Sequence, residues 1–215
     1  MNAAKVRAPF IVIDGQDGSG KGTQIRLLQE HLARERVKAV FTREPGGVPL
    51  SESLRMVIKS DDGMSSDPFT QFLMFWAARN EWVKQLVLPS LESGIPVFSD
   101  RGDSSTYAYQ VRAQNALELE DEFWRLRDLV FGDCTPSAYI IIDVPAEVAR
   151  QRSLADGAHI SVFDNAQVEF YERVRQGFRV FENKALVDVF LVDGTQTINE
   201  VHENISYLVR DIMYG

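Results

Sequence analysis

Phe10-Ile-Val-Ile-Asp14 runs directly into Gly15-Gln-Asp-Gly-Ser-Gly20-Lys21-Gly22-Thr23, and the residues beyond Thr23 have the spacing of a helix. A short apolar strand, a glycine-rich turn and a helix start form a cradle for phosphate. Glycines let successive backbone N–H groups turn inward around anionic oxygens. The helix start adds the positive end of its dipole, and Lys21 adds a mobile full charge. Gly15, Gly18, Ser19, Gly20, Lys21, Gly22 and Thr23 are therefore the candidate phosphate ligands. The spacing Gly-x-x-x-x-Gly-Lys fits a phosphate-binding loop, but Gly22 stands where Ser or Thr usually meets Mg²⁺, and Thr23 comes one place later. The competing reading is a glycine-rich turn with no ligand.

Composition narrows the field. The chain has 215 residues, 45% hydrophobic and 25% charged, which suits one compact domain over residues 1–215 and excludes disordered and fibrous classes. A net charge of −8 argues against a general nucleic-acid or membrane-surface binder, though a small anionic ligand can still find a locally basic site. The lone Cys134 forms no internal disulfide and reads as a packed or partly exposed residue rather than a nucleophile. No apolar stretch approaches a membrane span, and residues 1–9 lack the apolar core of a secretory signal. A reducing cytoplasm is the expected location.

Along the chain, apolar runs at 10–14, 37–42, 95–99, 138–143 and 189–192 read as strands. The run at 138–143 is uninterrupted, as in a strand buried on both faces. Helical patterns occupy 50–60 with Ser51 as N-cap, 67–91 with Pro68 in the first turn and Gly94 beyond its end, about 103–111, 120–131, 145–152, 167–183 and 198–213. Strands alternating with helices predict an α/β fold, a five-stranded parallel sheet with helices on both faces. Ligands in such sheets sit at the carboxyl ends of strands. Four polar clusters fall there: 15–23, 43–47, Asp100-Arg101 and the stretch after Asp143.

Several motifs in series resemble the thymidylate kinases, P-loop nucleoside-monophosphate kinases: Asp17-Gly-Ser-Gly-Lys21, Thr42-Arg-Glu-Pro-Gly-Gly47, Leu54-Arg55, Leu73-Met-Phe-Trp-Ala-Ala-Arg79, and Asp100-Arg101 followed by Ser105-Thr-Tyr-Ala-Tyr-Gln110. The resemblance covers nearly the whole chain. It implies a P-loop NTPase-type three-layer sandwich with a short lid, ATP as phosphoryl donor, Mg²⁺, and phosphorylation of dTMP to dTDP. It assigns Lys21 and the loop amides to the ATP phosphates. Asp17 is directed toward the acceptor 3′-hydroxyl and the metal shell, and a turn-stabilising Asp is its alternative. Arg101 is assigned to the monophosphate, with Asp100 orienting it or a metal-bound water. Asp17 and Asp100 are thus the metal candidates, directly or through water. Arg55 is the second phosphate-side arginine, with an exposed helical arginine as its alternative. Phe75 stacks on the pyrimidine, or packs in the core, and Arg79 donates to O4. Thr106 and Gln110 lie near the N3 edge, Tyr109 crowds the ribose 2′ position, Ser105 neighbours the base, and Pro45 carries a cis peptide beside it. A homodimer through the helices at 50–60 and 67–93 is implied.

The sequence departs from the family in three places. Neither the loop nor the expected lid at 153–167 contains an arginine; Arg150, Arg152, Arg173 and Arg175 flank the lid, each reading by default as helix-surface charge. His159 in the lid reads as a solvated loop residue. Gly22 also resembles the adenylate kinase loop, and Gly102 reads as leaving room near the acceptor. These departures keep two other functions in view: a kinase for dUMP or a 5-modified deoxypyrimidine monophosphate, and a catalytically weakened nucleotide-binding protein.

Overall fold

The computed structural model describes residues 8–155 and 168–215. Strands β1 (Phe10–Asp14), β2 (Val40–Arg43), β3 (Val97–Asp100), β4 (Ala138–Asp143) and β5 (Asp188–Asp193) form one sheet in the order β2-β3-β1-β4-β5. All four pairings are parallel. The registers Ile13↔Asp100 and Arg43↔Asp100 bring the carboxyl ends of β1, β2 and β3 level. From β1 the chain runs outward to β2, then returns through β3 and passes to β4 on the opposite side. The strand order therefore reverses around β1, the place where such sheets bind ligands.

The uninterrupted apolar runs divide by alternate residues between two cores. Phe10, Val12, Tyr139 and Ile141 face one layer, while Ile11, Ile13, Ile140 and Ile142 face the other. The first layer contains α4 (Pro68–Trp82), α7 (Glu120–Phe131) and α9 (Val168–Lys184); the second contains α1 (Lys21–Arg34) and α10 (Ile198–Tyr214). Three layers result because a strand hydrophobic at every position can bury both faces only between helices.

Several elements differ from the sequence reading. Helix α2 spans Pro49–Ile58 and is capped by Val48, not Ser51. Ser51 is buried and donates to the Ala78 carbonyl at 2.7 Å, fastening α2 to α4. A short helix, α3 (Asp61–Met64), was not expected; the Ser60 hydroxyl accepts from Gly63 N at 3.1 Å and caps it. Asp67 caps α4 through Phe69 N and Thr70 N, as Pro68 in the first turn predicts. Beyond Trp82 the helix widens into a π segment (Val83–Val87) before α5 (Leu88–Glu92). The helix expected at 103–111 is one α turn, α6 (Asp103–Thr106), followed by a π segment (Tyr107–Ala113). Helix α8 (Ala146–Ala155) follows β4, 3₁₀ turns at Leu117–Leu119 and Gly132–Cys134 flank α7, and Cys134 is buried, the packed rather than the partly exposed alternative.

One polar cluster lies inside the first core. Arg127 Nε donates to Asp103 Oδ2 at 2.9 Å, the Tyr139 hydroxyl donates to Asp103 Oδ1 at 2.7 Å, and all three residues are buried. The cluster joins α7 and β4 to the start of α6. Removing one member of a buried pair leaves a desolvated charge. Arg127→Met is therefore expected to cost about 3–5 kcal/mol in urea unfolding, and adding Asp103→Asn should recover part of it. Equal losses in the single and double variants would contradict this account.

Candidate active site

The glycine loop bends sharply where β1 ends. Gly15, Gly18 and Gly20 have φ of 143°, 77° and 95°, a region costly for residues with a Cβ. At Gly18 the constraint is also steric, since a Cβ would stand 2.0 Å from the Ala149 carbonyl oxygen on α8. Gly20 is the N-cap of α1 and makes no side-chain bond to the first-turn amides. Those N–H groups remain available to an anion at the positive end of the helix. Lys21 folds back over the loop, donating to Gly15 O at 2.8 Å and Gln16 O at 2.9 Å. Burial pushes its ammonium down to about 8; Arg101 adds to the fall, and Asp17, Asp100 and Asp14 oppose it. Gly22 is exposed, with open space where a Cβ would stand, and Thr23 is half-buried. The Ser19 hydroxyl is buried without a partner among the described residues.

Arg101 has φ of 71°, an uncommon conformation that costs about 1–2 kcal/mol for an ordinary residue. Flanking bonds hold it there: its N–H reaches Ile13 O at 3.0 Å, and the Ser99 hydroxyl donates to its carbonyl at 2.7 Å. The result directs the guanidinium over the loop, where it contacts Asp17 and donates to Ser105 Oγ at 2.9 Å and Gly15 O at 3.3 Å. Tyr109 completes the group. Its hydroxyl donates to Asp17 Oδ2 at 3.3 Å, and its ring centroid lies 5.4 Å from Arg101 Cζ. Sequence reasoning missed Asp14, which is fully buried beneath this cluster. It accepts from Gly15 N at 2.8 Å, Ser104 Oγ at 2.6 Å and Ser105 Oγ at 2.8 Å, and lies 3.6 Å from Arg101 Nη1. A carboxylate ending an otherwise apolar strand was the available signal. Asp100 places Oδ1 in a buried position with no partner among the described residues.

A second cluster adjoins the first. Arg79 is buried, its Nε lying 3.0 and 2.9 Å from the two Glu44 oxygens and its Nη2 donating to Thr106 Oγ1 at 2.9 Å. Burial pushes the Glu44 carboxyl up to about 7 against the pull of Arg79. Phe75, one turn before Arg79, is half-buried and makes no ring contact among the described residues, unlike the fully packed Phe72 and Trp76. Gln110 is buried with no side-chain hydrogen bond among the described residues. The Glu44-Pro45 peptide is cis, and Arg55 Nη1 donates to Pro45 O at 2.8 Å. Asp17, Lys21, Arg101, Ser105 and Tyr109 thus meet in one cluster, and Arg79, Thr106, Pro45 and Arg55 lie in or beside the other, whereas Phe75 and Gln110 make no side-chain hydrogen bond or ring contact to either among the described residues.

Two expectations change. Gly102 does not open space for an acceptor: a Cβ there would come within 2.9 Å of Val12 Cγ1 on β1, so this glycine abuts the sheet. Three of the four flanking arginines are engaged. Arg175 grips Asp143 at 2.8 and 2.9 Å, Arg152 donates to Gly194 O at 2.9 Å, and Arg173 to Ala113 O at 2.9 Å. Arg150 is half-buried with no partner among the described residues. The expected lid lies outside the described residues, His159 included, except for 153–155, which end α8.

A glycine cradle where a parallel sheet reverses, with Arg101 over it and the Arg79–Glu44 pair nearby, has the elements a nucleotide phosphotransferase uses. The family model for thymidylate kinase matches residues 13–205, and the chain belongs to that family. Thymidylate kinase from Vesicomyosocius okutanii is 33% identical over 208 residues, 95% of this chain and 98% of that one. The protein of the same description from Symbiobacterium thermophilum is 35% identical over 95% of this chain and 94% of its own length. The crystal structure of thymidylate kinase from Ehrlichia chaffeensis aligns with a TM-score of 0.75 at 32% identity, covering 94% of this chain and 98% of that one.

The lowered lysine makes binding pH-dependent. In the free protein Lys21 sheds its proton as pH rises through about 8, whereas a bound polyphosphate favours the charged form. Triphosphate binding at pH 8.5 is expected to take up on the order of one proton, and affinity to fall above pH 8. Calorimetry in buffers of different ionisation enthalpy reads the uptake; none at pH 8.5 would refute the assignment.

Proposed function

We infer that this chain catalyses ATP-dependent phosphorylation of dTMP to dTDP. Membership of the thymidylate kinase family carries this reading. The buried, unpartnered Nη1 of Arg79 supports the acceptor assignment, because a guanidinium donor suits the C4 carbonyl of thymine and opposes the amino group of cytosine. Phe75 offers a ring face to the base, Gln110 an amide, and Tyr109 bulk beside the sugar. Arg101 and Arg55 take the monophosphate, with Arg101 suited to planar bidentate donation.

Phosphoryl transfer asks the protein mainly for alignment and for fixed positive charge around the moving group. Lys21 and the free amides at the start of α1 hold the donor phosphates. Asp17 is drawn between Arg101 and Tyr109, where it can accept a hydrogen bond from an acceptor hydroxyl. Asp100 suits Mg²⁺, a hard cation bound by one or two carboxylates together with phosphates and water, since its Oδ1 is unpartnered; Mg²⁺ there, directly or through water, would neutralise phosphate charge. Among the described residues no group of three or more acidic, His or Cys side chains converges, so phosphate oxygens would complete the shell. Arg150, whose guanidinium has no partner among the described residues, is the flanking arginine best suited to the donor side.

Residues 1–215 would work as one kinase domain. No described helix is long and apolar enough to cross a membrane, and we place the enzyme in the cytoplasm. Exposed Leu50, Met56, Val57, Phe69 and Leu73 on α2 and α4 support a homodimer through those helices.

ADP formation with dTMP, dUMP, dCMP and a 5-modified deoxyuridylate at fixed ATP tests the reading. The expected order puts dTMP first, and chelation of divalent cations abolishes turnover. A faster alternative acceptor, or intact dTMP binding with background turnover, would overturn it. Arg150→Ala is expected to lower kcat by about 10²-fold with little change in the KM for dTMP; unchanged kcat would remove Arg150 from the donor side.

A further inference from the structure

The guanidinium of Arg79 is restrained on three sides. Glu44 takes Nε with both carboxylate oxygens, at 3.0 and 2.9 Å, and Thr106 takes Nη2 at 2.9 Å. Trp76 lies against the group, its ring centroid 4.4 Å from Cζ. Glu44, Thr106, Trp76 and Arg79 are all buried, so neither water nor rotation relieves the arrangement. What remains is Nη1, buried and without a partner among the described residues. A buried donor of that kind is costly unless something meets it, and a guanidinium has no way to become an acceptor.

Glu44 is itself fixed to the sheet. It comes directly after β2, and its N–H reaches Asp100 O at 2.9 Å, extending the β2–β3 ladder by one bond. The sheet therefore sets the carboxylate, and the carboxylate sets the plane of Arg79. We propose that Glu44 is a specificity-positioning residue of the pyrimidine pocket: by anchoring Arg79 through Nε it aims the Nη1 hydrogens at the C4 substituent of the base, so that a carbonyl is accepted and an amino group refused. The inference rests on the proposed reading of the acceptor base by Arg79.

Charge and shape both matter at this position. A carboxylate presents only acceptors to Nε, whereas a glutamine can turn its NH₂ toward it and release the ring of contacts. An aspartate keeps the charge but withdraws the oxygens by one methylene. Without the anchor, Arg79 can pivot about its side chain, and its donors no longer oppose a C4 amino group from a fixed direction. Phosphate binding on the other side of the cleft does not depend on this contact.

The test compares Glu44→Gln, Glu44→Asp and Arg79→Lys with the parent enzyme. The readouts are kcat/KM for dTMP and for dCMP, the KM for ATP, and thermal melting. Glu44→Gln is expected to lower the dTMP-to-dCMP ratio by about tenfold or more, with a raised KM for dTMP and an unchanged KM for ATP. Glu44→Asp, which keeps the buried cation paired, should lose less of the ratio. A parent-like ratio in folded Glu44→Gln, or a larger loss in Glu44→Asp than in Glu44→Gln, would overturn the proposal. Arg79→Lys separates the two readings. If it leaves the ratio intact, the role of Arg79 fails and takes this inference with it; if it lowers the ratio while the Glu44 variants do not, only the role of Glu44 fails.

Discussion

The carboxylate of Asp14 ties the two halves of the site together. It ends the central strand, is fully buried, and accepts from the first amide of the glycine loop and from two serines of α6. Burial pushes its carboxyl up, while Arg101, Lys21 and the two serine hydroxyls pull it down. A carboxylate in that position is tolerable only with several donors and cations converging on it. The donors are the loop amide and the two serines of α6, and the cations are Lys21 and Arg101, so satisfying one buried charge also fixes the glycine loop to α6.

Similar logic recurs in two other buried clusters. Glu44 with Arg79, and Asp103 with Arg127 and Tyr139, are buried pairs whose partners come from distant parts of the chain. Such pairs add little net stability over well-packed apolar residues, but breaking one is expensive. They act as registration points. Asp103 fixes where α6 begins, and Glu44 fixes how Arg79 is turned against Thr106 at the end of the same short helix.

The layered fold was legible because its evidence is local and periodic. The run 138–143 reads as a two-faced strand, and the structure divides its residues between two cores by parity. The loop was legible for a related reason: strand, glycines and lysine are contiguous. Harder to read were contacts whose two sides lie far apart. Ser51 has the residue type of a cap but serves as a tether to α4, and only tertiary packing distinguishes the two. Gly102 looked like free space near a ligand because sequence does not say which way a missing side chain would have pointed; its Cβ direction runs into Val12. Glu44 sits inside a legible motif, yet nothing in the chain order identifies Arg79 as its partner. The π segment at Tyr107–Ala113 was read as ordinary helix, since its apolar spacing differs little from an α pattern over seven residues.

The contact between Gly18 and α8 links two parts that are distant in the chain. The loop backbone lies so close to the Ala149 carbonyl that not even a methyl group fits between them. Helix α8 leads toward residue 156 and carries Arg150 one position after Ala149. With no compressible side chain at the junction, a displacement of this helix toward the loop is transmitted to the backbone that would grip the donor phosphates. The phosphate loop and α8 are in that sense a rigid linkage. The position of Arg150 and the shape of the anion cradle are therefore set together, and tuning one by evolution or by design alters the other.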